Sequence, residues 1–61
     1  MFIKIDENLI NTDKVAAIVA DEIDGEFVLI VQFEYGSELT IFYDTEEEAV
    51  NELNKIYQHF I

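Results

Sequence analysis

Carboxylates are the chemically capable side chains that this sequence has in abundance. Asp and Glu number 14, Lys and Arg together number 3, and the formal net charge is −11. Two carboxylates can serve as general acid and general base where a concave pocket moves the pKa of one away from that of the other. A chain of 61 residues has little room for such a pocket. We therefore expect no catalytic carboxylate pair.

His59 is the only histidine, and it follows a helical pattern close to the end of the sequence. A catalytic imidazole needs a nucleophile or a carboxylate that converges on it. The sequence has no cysteine and no Ser-His-Asp or His-metal spacing. A partly positive imidazole in the last helical turn suits the negative end of the helix dipole. We predict that His59 is a helix-end residue, that there is no catalytic residue, and that the protein is not an enzyme.

Acidic residues cluster around the dipeptide Asp24-Gly25, in a way that resembles a calcium loop. An EF-hand needs oxygen ligands at alternating positions over 12 residues, with a closing Glu and flanking helices, and this segment lacks that pattern. Gly25 and Gly36 each mark a turn, so the sequence also lacks a glycine-rich phosphate loop. We expect neither a metal nor a cofactor.

The charge balance limits the partners. Nucleic acids and anionic membranes are bound through Lys and Arg, which are scarce here, so we expect no direct binding to either. An acidic surface can instead dock on the basic surface of a protein partner, where it can imitate a polyanion, or it can simply keep a small domain soluble. The carboxylates predicted to contact a basic partner are Asp21, Glu22, Asp24, Glu26, Glu34, Glu38, Glu48 and Glu52.

Tyr35 and Tyr43 are the aromatic residues whose hydroxyls we expect to reach the surface. Tyr35 lies at a turn, Tyr43 lies just before the helix, and acidic residues flank both. Tyrosine is a favoured anchor in protein interfaces. Both residues are therefore predicted to bind a partner inside an acidic rim.

These residues are positioned by an α+β fold, predicted as an antiparallel β-meander of about four strands packed on one C-terminal helix, in a single domain of residues 1–61. The clearest signal is Asp24-Gly25, because both central residues of a type I′ turn need positive φ. The resulting hairpin pairs Ile23 with Glu26, Ala20 with Leu29 and Ile18 with Val31. The strand before the turn, the second strand of the meander, is predicted from about Lys14 to Ile23. Its three alanines, Ala16, Ala17 and Ala20, have small side chains, so we expect the helix to cross or a partner to pack there.

The second hairpin has two possible registers. A two-residue Gly36-Ser37 loop places Phe42 beside Val31, whereas a three-residue loop from Tyr35 to Ser37 places Ile41 there. We prefer the three-residue loop, because it puts Leu39, Ile41 and Tyr43 on the more apolar face of the sheet. It also sets Glu34 opposite Glu38.

The helix is predicted from about Thr45 to Phe60. Thr45 and Glu48 have the spacing of a capping box, and the glutamates of the first turn suit the positive end of the helix dipole. The apolar stripe consists of Ala49, Val50, Leu53, Ile56, Tyr57 and Phe60. One stripe covers one face of the sheet.

The other face of the sheet is also predicted to be apolar. The residues assigned to it are Val15, Val19, Val28, Ile30 and Phe42. Contiguous exposed apolar patches usually mark interaction sites, so we expect a homodimer or a higher closed oligomer, formed through this face or through edge strands. The alternative is that strong twist curls the sheet around the helix and hides both faces.

The chain resembles small uncharacterised proteins of bacteria and their phages in four features: the strand Phe2-Ile3-Lys4-Ile5, the segment Asn8-Leu9-Ile10-Asn11 leading to Val15-Ala16-Ala17-Ile18, the Asp-Gly hairpin, and Thr45-Glu46-Glu47-Glu48-Ala49 opening the last helix. A short, acidic, cysteine-free chain is also similar to phage-encoded inhibitors of bacterial defence, of the anti-restriction and anti-CRISPR type. That resemblance implies an inhibitor that binds and blocks a host complex. The second hypothesis is a self-assembling structural or accessory subunit.

The N-terminus lacks the basic and apolar regions of a secretory signal, and no apolar run approaches the roughly 18 residues that cross a bilayer. We therefore expect a cytoplasmic protein, in the host cytoplasm if a phage encodes it.

Overall fold

The structure is a computed structural model that describes residues 1–59, and it has the predicted α+β fold. Its elements are β1 (Phe2–Ile5), β2 (Asn8–Asn11), a 3-10 turn (Thr12–Lys14), β3 (Val15–Ile23), β4 (Glu26–Phe33), β5 (Glu38–Tyr43) and α1 (Glu46–Tyr57). The strands form two antiparallel sheets, a hairpin of β1 and β2 and a three-stranded sheet in the order β3-β4-β5. Within residues 1–59, no helix is long and apolar enough to span a membrane.

The fold has five strands instead of about four, because Leu9 and Ile10 belong to β2. Ile5 pairs with Asn8 across a two-residue turn. In that turn Asp6 takes a φ of 53°, a conformation that Asp tolerates better than most residues, and the Asn8 side-chain amide donates to the Ile5 carbonyl at 3.3 Å. No glycine marks this turn, which is why the strand after it escaped prediction.

The first long hairpin forms as predicted. Ile23 pairs with Glu26, and the register continues through Ala20 opposite Leu29. Asp24 and Gly25 have φ angles of 51° and 82°, both positive as a type I′ turn requires.

A β-bulge at Ala16 changes the start of β3. Val15 pairs with Phe33 and Ala17 pairs with Gln32, so Ala16 has no partner on β4. The extra residue reverses the alternation of side chains on its N-terminal side. Val15 therefore packs against the core, and its predicted place on the face of the sheet away from the helix was wrong.

The second hairpin has a three-residue loop, as preferred, but the loop lies one residue earlier than predicted. Phe33 N–H donates to the Ser37 carbonyl at 2.9 Å, and Gly36 N–H donates to the Phe33 carbonyl at 2.9 Å. Gly36, with a φ of 97°, ends a tight turn of the kind that three-residue hairpins use. Leu39 consequently lies opposite Val31, so both predicted registers were wrong.

The register differs from the preferred one by two residues, so the same side chains of β5 still face the core. Leu39, Ile41 and Tyr43 pair with Val31, Leu29 and Phe27, and so face the core side. Glu38 lies opposite Gln32 and accepts a hydrogen bond from its Nε2 at 3.0 Å, instead of facing Glu34.

The helix begins where its cap predicts. Thr45 is the N-cap, the Glu48 amide donates to Thr45 Oγ1 at 3.2 Å, and the Thr45 hydroxyl donates to Glu48 Oε1 at 3.2 Å. Ala49 and Ile56 are buried and Leu53 is half-buried, whereas Val50 and Tyr57 are exposed at the margins of the stripe. The helix ends at Tyr57, and Phe60, the last predicted member, lies outside the described residues.

The core lies on one side of the three-stranded sheet, called here the inner face. Helix α1 and the β1–β2 hairpin both pack on this face. The buried cluster consists of Ile3, Ile5, Ile10, Leu29, Val31, Ile41, Ala49 and Ile56. Two elements therefore cover the inner face, and the opposite face of the three-stranded sheet is called here the outer face.

Candidate functional site

The first hairpin turn and the start of the helix lie at the same end of the molecule. Strand β5 runs back along β4 until Tyr43 pairs with Phe27, so the chain enters the helix beside the Asp24-Gly25 turn. Two grooves connect these parts, one lined by Asp21, Glu22 and Glu46 among others, and one lined by Gly25, Glu26 and Asp44 among others. We call the exposed carboxylates gathered here the acidic end: Asp21, Glu22, Asp24, Glu26, Asp44 and Glu46.

The eight predicted carboxylates do not form one surface. Asp21, Glu22, Asp24 and Glu26 belong to the acidic end. Glu34 and Glu38 lie at the opposite end of β4, beside the second turn. Glu48 and Glu52 line a third groove, which they share with Asp6, Tyr43 and Lys55 among others. The eight predicted carboxylates are therefore divided among three places, and four of them belong to the acidic end.

Asp44 and Glu46 were missed as members of this site. The sequence shows them only as residues of the helix start, since helix caps and first turns are commonly acidic. Their proximity to Asp21 and Glu26 depends on the long-range pairing of β4 with β5. The signal that could have found them is the Asp-Gly turn combined with a β5 that ends just before the cap.

Basic residues are scarce beside the acidic end, where Asp44 shares the third groove with Lys55. The two ion pairs of residues 1–59 are elsewhere: the N-terminal amine with Asp13, and Lys55 with Glu52, each at 3.4 Å. Neither groove of the acidic end is lined by Lys. The like charges there repel one another, and a cationic partner would relieve that repulsion.

The two predicted tyrosines have opposite environments. Tyr35 is 69% exposed and its ring stacks on Phe33 at 5.4 Å between centroids, at the end of the sheet far from the acidic end. The Tyr43 hydroxyl is buried and has no hydrogen-bond partner among residues 1–59, so its predicted exposure was wrong. Burial, and then the charges of Asp6 and Glu52, raise the pKa of Tyr43 to about 12. Tyr43 points inward because it pairs with Phe27 on the inner face.

The outer face is less apolar than predicted. Phe42 is 57% exposed and Val19 is 41% exposed, but Val28 is fully buried and Ile30 is half-buried. Polar residues alternate with them in the pairing pattern, such as Asp21 opposite Val28 and Thr40 opposite Ile30. With Val15 on the other side, the exposed apolar part of this face consists mainly of Val19, Ile23 and Phe42.

Two grooves follow one another along the alanine-rich strand, and together they are called here the β3 groove. Strand β3 is at the edge of its sheet, and both grooves lie between it and α1. One, of about 280 Å³, is lined by Val15, Ala16, Ala17, Ile18, Leu53, Ile56 and Tyr57. The other, of about 300 Å³, is lined by Ala20, Asp21, Glu22, Phe27, Glu46, Ala49 and Val50. The small alanines leave this space between strand and helix, where the sequence predicted that the helix would cross or a partner would pack.

The main surface features of the described residues are the charged acidic end and the partly apolar β3 groove. In the part of the chain that the structure describes, no three His, Asp or Glu side chains are placed to hold a metal ion together. The acidic end and the β3 groove share Asp21, Glu22 and Glu46, so charge and concave apolar surface meet there. No model of a known protein family, no curated protein and no solved structure matches this chain.

Proposed function

We propose that this protein is a non-enzymatic inhibitor or modulator that binds the basic surface of a protein partner through its acidic end. The observation that carries the proposal is the convergence of exposed carboxylates from three segments, namely the first hairpin, the end of β5 and the start of α1, beside grooves that no Lys lines. Electrostatic complementarity of this kind steers association and selects cationic partners.

The resemblance to phage-encoded inhibitors of bacterial defence supports one form of this function. Such an inhibitor covers a nucleic-acid-binding surface on a host protein and so competes with the nucleic acid. The net charge of −11 opposes direct binding to nucleic acid or to anionic lipid, so the partner is a protein. We propose that it acts in the cytoplasm, as a phage protein would in its host.

The proposal is tested by affinity capture from cell extracts, including cells that carry defence systems, at about 0.05 M and about 0.5 M salt. A basic partner that is retained at low salt and released at high salt is expected. Two matched variants then show whether affinity for the partner depends on where the charges lie or only on how many there are. Glu22→Gln with Glu26→Gln removes two charges from the acidic end, and Glu34→Gln with Glu38→Gln removes two from the opposite end.

We expect the acidic-end variant to lose about tenfold in affinity for the captured partner, and the opposite-end variant to lose less than about twofold. Equal losses would show that net charge acts without regard to place. No loss in either variant would remove the electrostatic basis of the proposal.

Self-assembly is a second candidate function, favoured by the exposure of Val19, Ile23 and Phe42 on the outer face. A dimer through this face should dissociate when Phe42→Gln places a polar group among these residues. Sedimentation of the unmodified protein at micromolar concentration decides it, because a monomer there contradicts the assembly hypothesis.

A further inference from the structure

We propose that the open edge of β3 binds an extended, cationic segment of the protein partner as an additional strand, with its side chains in the groove between β3 and α1. The inference rests on the proposed function and deepens it, because it names the conformation and chemistry of what the acidic end recognises. Addition of a strand to a sheet edge gives affinity through main-chain hydrogen bonds and specificity through alternate side-chain pockets.

Alternate residues of β3 direct their backbone N–H and C=O groups away from β4. Residues opposite each other in an antiparallel pair alternate between hydrogen-bonded and non-hydrogen-bonded pairs. Ile23 and Glu26 close the turn as a bonded pair, so Ile18, Ala20 and Glu22 direct their N–H and C=O groups away from β4. The Glu22 amide is held by the Asp21 carboxylate, with Asp21 Oδ1 accepting at 2.7 Å. Among the residues that the structure describes, none pairs with the outward donors and acceptors of Ile18 and Ala20.

Access to this edge is open. Ala16 and Ala20 are exposed, and Ala17 and Ile18 are only half-buried. Within residues 1–59, β3 pairs with β4 alone. Small side chains let another backbone approach closely, and unprotected edges are templates for strand pairing.

The groove beside the edge has two chemically different halves. Its wall near Ile18 is apolar, with Leu53 and Ile56 on the helix side. Its other half passes Asp21, Glu22 and Glu46, at the acidic end. A strand laid along β3 therefore meets apolar surface first and carboxylates afterwards, so the complementary ligand has apolar side chains at one end and Lys or Arg at the other.

Charge argues for a partner segment over a second copy of this chain. Strand β3 contains Asp21 and Glu22 and no basic residue, and each copy has a net charge of −11. The other open edge, β5, is a weaker candidate, because the groove beside Phe42 is lined mainly by polar and charged residues, Asp6, Asp44 and Glu48 among them.

The probes are two synthetic eight-residue peptides with blocked ends. Each has five alternating valines and threonines and three lysines, with the lysines at the C-terminus in one and at the N-terminus in the other, so that both strand directions are sampled. Control peptides carry N-methyl groups on two adjacent central residues, which keeps every charge and blocks one amide that faces β3 in either register. Affinity is measured by fluorescence anisotropy.

Two matched variants test the edge itself. Ala20→Pro removes an outward N–H from β3, and Thr40→Pro removes the equivalent outward N–H from β5, since Thr40 lies opposite Ile30 in a non-bonded pair. Proline is tolerated on edge strands where the lost N–H faces solvent. We expect Ala20→Pro and the N-methyl groups each to weaken binding of one peptide about tenfold, and Thr40→Pro to weaken it less than about twofold.

Amide hydrogen exchange on the unmodified protein tests the same edge without any substitution. Peptide should slow exchange at Ile18 and Ala20 and leave Thr40 and Phe42 unchanged. The proposal is overturned by protection at Thr40 and Phe42 instead, by equal binding of the N-methylated peptides, or by no binding up to about 1 mM. Protection of Ile18 that rises with protein concentration alone would assign the edge to a second copy.

The two proposals can fail separately. If Glu22→Gln with Glu26→Gln weakens capture of the natural partner and Ala20→Pro does not, the acidic end binds the partner and the open edge does not. If both variants weaken capture while the opposite-end variant does not, both proposals stand.

Discussion

At the residue scale, the positive φ of Gly25 should make the stability of the fold sensitive to a side chain at this position. Its φ is 82°, and a Cβ placed there would meet no atom within 4 Å, so only backbone conformation opposes a side chain. We expect Gly25→Ala to lower the free energy of unfolding by about 1 kcal/mol, measured by urea denaturation. Asp24→Asn is the control, since Asn also favours positive φ and should change stability little. An unchanged midpoint for Gly25→Ala would contradict the type I′ turn.

The buried hydroxyl of Tyr43 is a second prediction at this scale. A buried polar group without a partner destabilises the fold, so Tyr43→Phe should raise the free energy of unfolding by about 1 kcal/mol. Its pKa is raised from the ordinary value of 10.0 to about 12. Above pH 10 the unfolded chain therefore releases this proton before the folded one, so the free energy of unfolding falls as pH rises from 10 to 12.

Alkaline titration of the tyrosinate absorbance checks the environment of Tyr43 directly. In the unmodified protein a phase near pH 12 is expected, and Tyr43→Phe should remove that phase. A Tyr43→Phe variant that keeps the highest phase would mean that the hydroxyl is accessible to water. Tyr35→Phe is the matched control, since it removes an exposed tyrosine.

At the element scale, the N-cap decides how well the helix starts. The Thr45 hydroxyl satisfies the Glu48 amide at 3.2 Å, one of the helix donors that has no partner in the first turn. Thr45→Ala should therefore lower the free energy of unfolding by about 1 kcal/mol. Thr45→Ser keeps a capping hydroxyl and should lower it by much less. Urea denaturation followed by circular dichroism measures both. Equal stability of the two variants would contradict the cap.

The features that could be predicted from the sequence are those that a few neighbouring residues determine. The Asp24-Gly25 turn and the Thr45 cap were predictable because neighbouring residues determine each of them. The bulge at Ala16 was not, since a run of small apolar residues carries no signal for where an extra residue is accommodated. That one residue moved Val15 from the outer face to the core.

The candidate site was predictable to the same extent. Asp21 to Glu26 are neighbours in the chain, so their grouping follows from the turn. Asp44 and Glu46 join them only through the pairing of β5 with β4, which is a long-range contact. The inward orientation of Tyr43 depends on the register of β5, and local sequence left that register open.

At the scale of the whole molecule, charge repulsion should make stability depend on salt. The molecule measures 31 × 23 × 20 Å, and its net charge is −11. The Debye length is about 30 Å at 0.01 M salt and about 10 Å at 0.1 M, so low salt lets carboxylates repel across the whole fold. We expect the urea midpoint to rise with NaCl over this range. A midpoint that falls would mean that attractive pairs outweigh the repulsion.

The separateness of the β1–β2 hairpin has a consequence for how the molecule opens. No backbone hydrogen bond of residues 1–59 joins these two strands to the three-stranded sheet, and mainly the side chains of Ile3, Ile5 and Ile10 attach them to the core. The hairpin can therefore undergo local unfolding while β3, β4 and β5 keep their ladder. Native-state exchange of β1 and β2 amides should report a lower opening free energy than that of β4 amides, and equal values would mean that the whole fold opens as one cooperative unit.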